Sequence, residues 1–188
     1  MVIRSAKEED AEEILSIYSP YVENTAITFE YTPPTLSEMR DRIKERKDRY
    51  PFIVLEEEGI ITGYAYLSPF KERKAYDWSE ETSIYLKSSC RGKGRGTILL
   101  EALEREARKM NLLSLDACIA VPREESKYLN NESRSFHERK GYKIVGYFPS
   151  SGFKFGRWFD MIWMEKEIGE HTYNPKDVIW YGKVRDRI

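Results

Sequence analysis

Two groups of residues in this sequence have types and a spacing that could support chemistry. The first is the segment R-G-K-G-R-G at positions 91–96, where three glycines alternate with cationic side chains. Small residues let successive backbone N–H groups face outward, and a helix that starts there adds unpaired N–H groups and the positive end of its dipole. The segment therefore predicts an anion site that suits a pyrophosphate. On spacing alone, a tight solvated turn between a strand and a helix remains an alternative.

The second group is the acidic pair Glu80 and Glu81, which stands just before an apolar alternation that ends at Leu86. Because side chains alternate across a strand, the two carboxylates would face opposite sides of a sheet. A carboxylate partly buried among aromatic rings has a raised pKa and can take a proton from an ammonium group. A solvated glutamate at the start of a strand is the alternative interpretation.

The glycine segment fits neither of the two common nucleotide-binding motifs. The dinucleotide fingerprint needs a third glycine at position 97, where this chain has Thr97, and Asp116 falls inside a predicted strand rather than at its end. The P-loop string G-x-x-x-x-G-K-[ST] does not occur in the sequence. The better interpretation is therefore a site for a pyrophosphate that is part of a ligand other than those that these two motifs bind.

The surrounding pattern places both groups between a strand and a helix. Alternating apolar residues predict a strand over 82–86, and apolar residues at helical spacing from Leu99 to Met110 predict a helix after the glycines. Capping boxes, S-A-K-E at 5–8 and T-L-S-E at 35–38, predict the starts of two more helices. The other elements are strands at 2–4, 52–55, 60–67, 113–121, 142–148 and 157–164 and a helix at 130–140. This order predicts an α/β or α+β domain around a mixed sheet.

Composition limits the possible partners. Of the 188 residues, 40% are hydrophobic and 34% charged, and the net charge of −1 argues against nucleic acid as a partner. No apolar run nears the roughly 20 residues that span a bilayer, and the first ten residues lack the apolar core of a signal peptide. Cys90 and Cys118 have neither metal-ligand nor disulfide spacing. We therefore expect a cytoplasmic protein with no metal and no membrane partner.

Two motifs resemble those of a known family. The string R-x-x-G-x-G at 91–96, between a strand and a long amphipathic helix, resembles the acetyl-CoA loop of the GNAT N-acetyltransferases. The string N-x-x-S-x-x-F-H-E at 130–138, closed by Gly141 and Tyr142, resembles the second CoA signature of that family. The resemblance implies the GNAT fold, a mixed and strongly twisted central sheet of about seven strands flanked by about four helices. It covers residues 1–167 as one domain and leaves 168–188 as a C-terminal appendage that packs on the surface or on a partner.

The resemblance also implies roles for particular residues. Glu81 is the expected general base, and His137 is the expected donor of a proton to the departing CoA thiolate, although a lone helical histidine is equally often structural. Asn130 has an amide suited to the pantetheine arm, with a helix N-cap as the alternative. The residues expected to hold acetyl-CoA, the co-substrate, are Ile84, Tyr85, Leu86, Arg91, Gly92, Lys93, Gly94, Arg95, Gly96, Thr97, Asn130 and Ser133.

Shorter strings resemble one branch, the phosphinothricin and methionine sulfone or sulfoximine N-acetyltransferases. They are F-E at 29–30, P-F-K-x-R at 69–73, A-Y-x-W at 75–78 and F-K-F-G-R-W at 153–158. The resemblance implies direct transfer of acetyl to the α-amine of a small amino acid in a ternary complex. The expected acceptor-binding residues are Phe29, Glu30, Arg73, Tyr76 and Trp78.

Several alternatives remain at this point. The acceptor could be a polyamine, an aminoglycoside or a protein N-terminus, although Arg73 argues against a cationic acceptor because like charges repel in a closed pocket. A non-catalytic CoA-binding module is a further alternative, which the presence of Glu81 and His137 disfavours. The family resemblance implies a homodimer, with the segment 153–158 and the C-terminal appendage as the candidate interface.

Overall fold

The computed structural model describes residues 1–185 and contains a seven-stranded mixed sheet with helices on both faces. The strands are β1 (Val2–Ser5), β2 (Phe52–Glu57), β3 (Ile60–Pro69), β4 (Ser79–Leu86), β5 (Ser114–Val121), β6 (Lys143–Lys154) and β7 (Arg157–Glu167). The helices are α1 (Ala11–Asn24), α2 (Leu36–Arg46), α3 (Arg95–Lys109), α4 (Glu132–Arg139) and the short α5 (Tyr181–Val184). The predicted sheet and its flanking helices are confirmed.

The strands follow the order β1-β2-β3-β4-β5-β7-β6 across the sheet. All neighbours are antiparallel except β4 and β5, which run parallel and pair only between 79–81 and 114–116. Strand β4 continues alongside β3 as far as Leu86. Beyond the pair Glu81 and Asp116, the two parallel strands therefore part and leave a gap with backbone groups along its sides.

A hydrophobic core lies on each face of the sheet. Helices α3 and α5 cover one face, where Leu99 and Leu103 are fully buried against strand residues such as Leu115. Helices α1 and α2 cover the other face, with Ile14 and Ile43 fully buried. Burial of each such side chain stabilises the fold by about 1.5–3 kcal/mol, so the two cores fix the position of β4 between them.

The two predicted capping boxes have different outcomes. At the start of α2 the box forms as expected, because Glu38 N donates to Thr35 Oγ1 (3.2 Å) and Thr35 N donates to Glu38 Oε2 (2.7 Å). The predicted box at 5–8 is wrong, since Ser5 is the last residue of β1 and its hydroxyl pairs with that of Tyr181 at 2.7 Å. Asp10 receives the N–H of Lys7 instead, and α1 begins only at residue 11.

The segment after β7 packs against the same chain. Tyr181 and Val184 are buried in the core beneath α3, and Ile179 N donates to Met110 O at 2.9 Å. The indole of Trp78 donates to Lys176 O at 2.8 Å. Of the expected appendage 168–188, the part up to residue 185 therefore covers the main core, and 186–188 lie outside the described residues.

Candidate active site

The glycine loop forms the start of α3 and opens onto a cavity of about 810 Å³. Gly94 is the N-cap residue, with φ 78° and no side-chain cap, so the first N–H groups of α3 are left for another partner. A left-handed backbone of this kind strongly favours glycine. Arg91 extends along one wall, with its guanidinium 4.8 Å from the ring centroid of Tyr21. The predicted anion site is therefore a cationic loop at a helix N-terminus.

The cavity brings together most of the residues expected to hold a CoA carrier. The lining residues among them are Ile84, Leu86, Arg91, Gly92, Gly94, Gly96, Thr97, Asn130 and Ser133, and the expected proton donor His137 lines the cavity as well. Sequence reasoning did not include the other lining residues, which are Tyr21, Ile27, Glu132, Phe136, Arg139 and Lys140. Arg139 follows from the position of α4 and adds positive charge to the lining, whereas the ammonium of Lys140 lies 3.6 Å from a carboxylate oxygen of Glu101. The charge of Arg139 suits a polyphosphate.

Three expected residues lie away from this cavity. Arg95 forms an ion pair with Glu57, with Nε donating to Oε2 at 2.8 Å, so its charge is compensated inside the chain. Lys93 is exposed beside the loop. Tyr85 faces the other side of the sheet and packs edge-on against Tyr18 and Tyr21.

The backbone of β4 faces the gap at alternate residues. Lys87 N donates to Thr62 O at 2.9 Å, so odd-numbered residues of β4 bond to β3 and even-numbered residues point toward β5. The hydroxyl of Tyr21 forms hydrogen bonds with both backbone groups of Leu86: it accepts one from the N–H (3.1 Å) and donates one to the carbonyl (2.7 Å). Ile84 is thus the residue of β4 whose backbone groups face the open part of the gap.

The oxygen of Asn130 is used inside the chain. Glu132 N donates to Asn130 Oδ1 at 3.0 Å, while Asn131 holds the N-cap position of α4. Asn130 is therefore not the N-cap residue that the alternative interpretation expected, although its side chain accepts from the first N–H of α4 and also lines the cavity.

Glu81 lies where β4 and β5 part. Its side chain is half-buried, and desolvation raises the pKa of its carboxyl while Lys71 lowers it. Asp116 is its register partner on β5, and burial together with the charges of Glu165 and Glu81 raises the pKa of Asp116 to about 7. Burial therefore moves the pKa of both carboxyls upward, and Asp116 can hold a proton near neutral pH.

Glu80 points to the opposite face, as the alternation predicts. Its side chain is 1% exposed, and Oε2 has no hydrogen-bond partner among residues 1–185. Burial raises the pKa of Glu80 to about 9, against a lowering by Arg49. The carboxyl is therefore mostly protonated at neutral pH and does not face the gap.

His137, on α4, lines the cavity of about 810 Å³. Its Nδ1 lies 2.8 Å from Ser133 O, which assigns the proton to Nδ1 and leaves Nε2 as an acceptor. Nε2 is buried and has no partner in the described part of the chain. Burial lowers the pKa of this imidazole, against a raising by the Ser133 carbonyl, so the ring is neutral.

Comparison with known proteins identifies this architecture. A family model described as an acetyltransferase (GNAT) domain matches residues 3–163. The chain belongs to the GNAT acetyltransferase family. The phosphinothricin N-acetyltransferase of Streptomyces viridochromogenes is 32% identical over 166 residues, which cover 88% of this chain and 87% of the relative. The L-methionine sulfoximine/L-methionine sulfone acetyltransferase of Salmonella typhimurium is 32% identical over 173 residues, covering 92% and 97%.

A solved structure agrees with this assignment. The GNAT superfamily phosphinothricin acetyltransferase from Sinorhizobium meliloti, in complex with acetyl-CoA, matches with a TM-score of 0.84 at 33% identity. The match covers 98% of this chain and 97% of that one. The predicted family, the GNAT fold and the acetyl-CoA-dependent N-acetyltransferase class are therefore confirmed.

On the other side of β4, this GNAT chain has a second cavity, of about 300 Å³. Its lining residues are Tyr18, Glu30, Met39, Arg42, Arg46, Phe52, Tyr64 and Tyr66. Glu30 accepts two hydrogen bonds from the guanidinium of Arg42 (2.9 and 3.1 Å) and one from the hydroxyl of Tyr18 (2.8 Å). Of the expected acceptor residues, Glu30 alone lines this cavity.

The remaining expected acceptor residues occupy separate places. Phe29 packs beside Gly152, where an added Cβ would overlap its ring. Tyr76 contacts the ring of Phe70 in the loop between β3 and β4, and Arg73 is exposed in that loop. The Trp78 indole N–H is directed to the C-terminal segment, so the structure does not bring it together with Glu30.

The loop that carries Phe29 is fixed by a buried lysine, Lys154. Its ammonium donates to three backbone carbonyls, those of Val22 (2.7 Å), Thr25 (2.9 Å) and Thr28 (2.8 Å). Because every acceptor is a backbone oxygen, no residue type in the sequence marks this contact. Lys154, the lysine of the F-K-F-G-R-W string, therefore supports the loop between α1 and α2.

Two absences hold for residues 1–185. No helix there is long and apolar enough to cross a membrane. Within the same range, no group of three or more histidine, cysteine, aspartate or glutamate side chains is placed to hold a metal ion.

Proposed function

We propose that this GNAT protein transfers acetyl from acetyl-CoA to the α-amine of a small amino acid of the phosphinothricin or methionine sulfone and sulfoximine type. The observation that carries the proposal is the position of Glu81, half-buried at the point where β4 and β5 part and directly across from Asp116. The names of two relatives, a phosphinothricin N-acetyltransferase and a methionine sulfoximine/sulfone acetyltransferase, support the acceptor class.

The larger cavity has the chemistry that a CoA carrier needs. N–H groups of the first turn of α3, together with Arg91, suit the pyrophosphate, and the backbone of Ile84 suits the amides of an extended arm. Acetyl-CoA supplies the acetyl group as a thioester, and we assign the backbone N–H of Ile84 as the donor to its carbonyl.

Glu81 is the proposed general base. An α-ammonium is mostly protonated at neutral pH, so a base must take a proton before the amine can attack. Desolvation raises the pKa of Glu81 toward the working range, and Asp116 beside it can hold a second proton. Attack is direct, because desolvation and the charge of Glu81 raise the pKa of Cys118 to about 12 and leave its thiol a poor nucleophile.

His137 is the proposed proton donor to the departing thiolate. The resting ring is neutral with its proton on Nδ1, so donation from Nε2 requires an imidazolium. An anionic sulfur next to Nε2 would favour that charged form by direct attraction. Nε2 would first take a proton from solvent and then give it to the sulfur as the C–S bond breaks, so that the ring returns to the neutral state with its proton on Nδ1.

The acceptor side combines two loops. Phe29 and Glu30 lie on the loop between α1 and α2, and Arg73, Tyr76 and Trp78 lie between β3 and β4. Lys71 supplies positive charge beside Glu81 for the carboxylate of an amino acid, and Arg73 lies two residues further along the same loop. The same charge disfavours a polyamine. We assign Trp78 to the rim, since its N–H is directed to the C-terminal segment.

We also propose a homodimer in the cytoplasm. Strand β6 is the edge of the sheet, and Val145, Tyr147 and Trp158 near it are 58%, 58% and 54% exposed. A second copy seated on this edge would cover the apolar side chains. Residues 168–185 pack on their own core, which favours the β6 edge over the appendage as the interface. Both cysteines are free thiols, which agrees with a reducing compartment.

A thiol-release assay tests the proposed function. We expect turnover of acetyl-CoA with phosphinothricin, methionine sulfone or methionine sulfoximine, and little turnover with spermidine or an aminoglycoside. CoA binding without turnover on any amine would contradict the enzyme assignment and favour a binding module. Turnover on spermidine in preference to amino acids would contradict the acceptor class.

A further inference from the structure

The smaller cavity contains a cationic side chain whose charge the chain does not compensate. Arg42 is paired with Glu30 through two hydrogen bonds, so these two charges cancel. Arg46 also lines the cavity, one turn further along α2, and forms no ion pair within residues 1–185. The cavity therefore has one net positive charge from these three residues.

The guanidinium of Arg46 is held in place but is not saturated. One terminal nitrogen donates to Arg42 O at 3.0 Å, and the group lies over the ring of Tyr66, 5.1 Å from its centroid. Its Nε is buried and has no acceptor in the described chain. A buried N–H without an acceptor is costly, and an anionic oxygen is the acceptor that a guanidinium binds most strongly.

This site is adjacent to the proposed base. Tyr66 is the register partner of Ser83 on the neighbouring strand, so the two side chains lie next to each other on the same face of the sheet. Ser83 lies two residues after Glu81 on the same face of β4, and the phenol of Tyr66 is within electrostatic reach of both Arg46 and Glu81. An acceptor whose amine is at Glu81 can therefore extend along Tyr66 toward Arg46.

Two separate cationic groups then flank Glu81. Lys71 acts on Glu81 from the loop between β3 and β4, and Arg46 lies beyond Tyr66 on α2. A free amino acid with an acidic side chain carries two anionic groups, one on each side of its amine-bearing carbon. The arrangement provides one partner for each.

We propose that Arg46 binds an anionic oxygen of the acceptor's side chain, and that this contact makes the enzyme prefer acceptors with an acidic side chain over neutral ones. The inference rests on the proposed function, since it assigns the side-chain end of the same acceptor site. Phosphinothricin and methionine sulfone are the matched probes, because they have similar shapes and differ by one negative charge on the tetrahedral group.

The test is the ratio of kcat/KM for phosphinothricin to kcat/KM for methionine sulfone. In Arg46→Gln we expect that ratio to fall about 10- to 100-fold, the loss of one hydrogen bond between charged groups, with methionine sulfone turnover changed less than about threefold. Arg40→Gln is the control, since Arg40 is exposed on the same helix. An unchanged ratio in Arg46→Gln would overturn the inference.

A binding measurement separates this inference from the proposed function. Should the parent enzyme acetylate no amino acid, the proposed function falls, and calorimetry of phosphinothricin binding with CoA present decides the inference. Binding weakened at least tenfold in Arg46→Gln would support the site, and equal or absent binding in both proteins would overturn it. Should Arg46→Gln fail to fold, Arg46→Lys decides, because it keeps the charge and loses Nε: a ratio lowered severalfold supports the assignment, and the parent ratio contradicts it.

Discussion

The two cavities on either side of β4 are built in different ways. The larger one combines the glycine loop and the start of α3, which are consecutive in the chain and leave a readable motif, with side chains from α1 and α4. The smaller one is formed by side chains from α1, α2, β2 and β3, which are far apart in sequence. A co-substrate can therefore be inferred from a motif, whereas acceptor specificity depends on side chains that only the fold brings together.

Glu81 lines neither cavity and lies where β4 and β5 part. Because it is the proposed base, its loss should affect transfer most. In Glu81→Gln we expect kcat to fall about 10²- to 10⁴-fold, because the neutral amide cannot take a proton. The KM for acetyl-CoA should stay near the parent value. Steady-state thiol release across pH measures both, and the acidic limb of the profile should disappear. A parent-like rate and pH profile would remove the base assignment.

The backbone character of the larger cavity can be tested at Gly94. In Gly94→Ala we expect the KM for acetyl-CoA to rise about tenfold, because a left-handed alanine costs roughly 1–2 kcal/mol and shifts the first turn of α3. Gly59→Ala is the matched control, since both residues have φ 78° and Gly59 lies in the exposed turn between β2 and β3. A KM raised equally in both variants would mean that the effect is general strain.

Two tyrosines on α1 allow the cavities to be compared directly. Tyr21 holds the backbone of Leu86 on the CoA side, and Tyr18 holds Glu30 on the acceptor side. We expect Tyr21→Phe to raise the KM for acetyl-CoA about 3- to 10-fold and Tyr18→Phe to raise the KM for the amino acid by a similar factor, because each variant loses the two hydrogen bonds of its hydroxyl. Identical effects of both variants on both substrates would contradict the division.

Glu80 should affect stability rather than activity. Its pKa is about 9 in the folded protein against an ordinary value of 4.5, so the native state keeps a proton that the unfolded chain releases. Its contribution to stability is therefore complete below pH 4.5 and decreases as pH rises toward 9. In Glu80→Gln we expect Tm to decrease less over that range, with kcat within about twofold of the parent. A parent-like slope of Tm against pH would contradict this.

The sequence predicts this fold well where local chemistry decides it. The strand alternation places Glu80 and Glu81 on opposite faces, and the Thr35 capping box starts α2 as expected. It fails where distant residues compete for the same group. Ser5 has the residue type of a cap, but pairing with β2 and the contact with Tyr181 place it in a strand.

The same limit applies to the candidate site. The loop pattern predicts the same anion-binding role for Arg91 and Arg95. Only the fold shows that Glu57 compensates the charge of Arg95. Tyr21 follows the apolar pattern of α1, so nothing in the sequence indicates that its hydroxyl holds Leu86. Lys154 is likewise readable as a motif residue but not as a ligand of three carbonyls.

The parting of β4 and β5 also has a mechanical consequence. The two strands pair at Glu81 and Asp116 and part from there. Beyond that pair, β4 stays hydrogen-bonded to β3 as far as Leu86, and β5 stays paired with β7 as far as Val121. Each side of the gap is therefore held by a strand that does not face it. A long substrate can thus pair with the open edges without breaking either ladder and without displacing the carboxyls at the closed end.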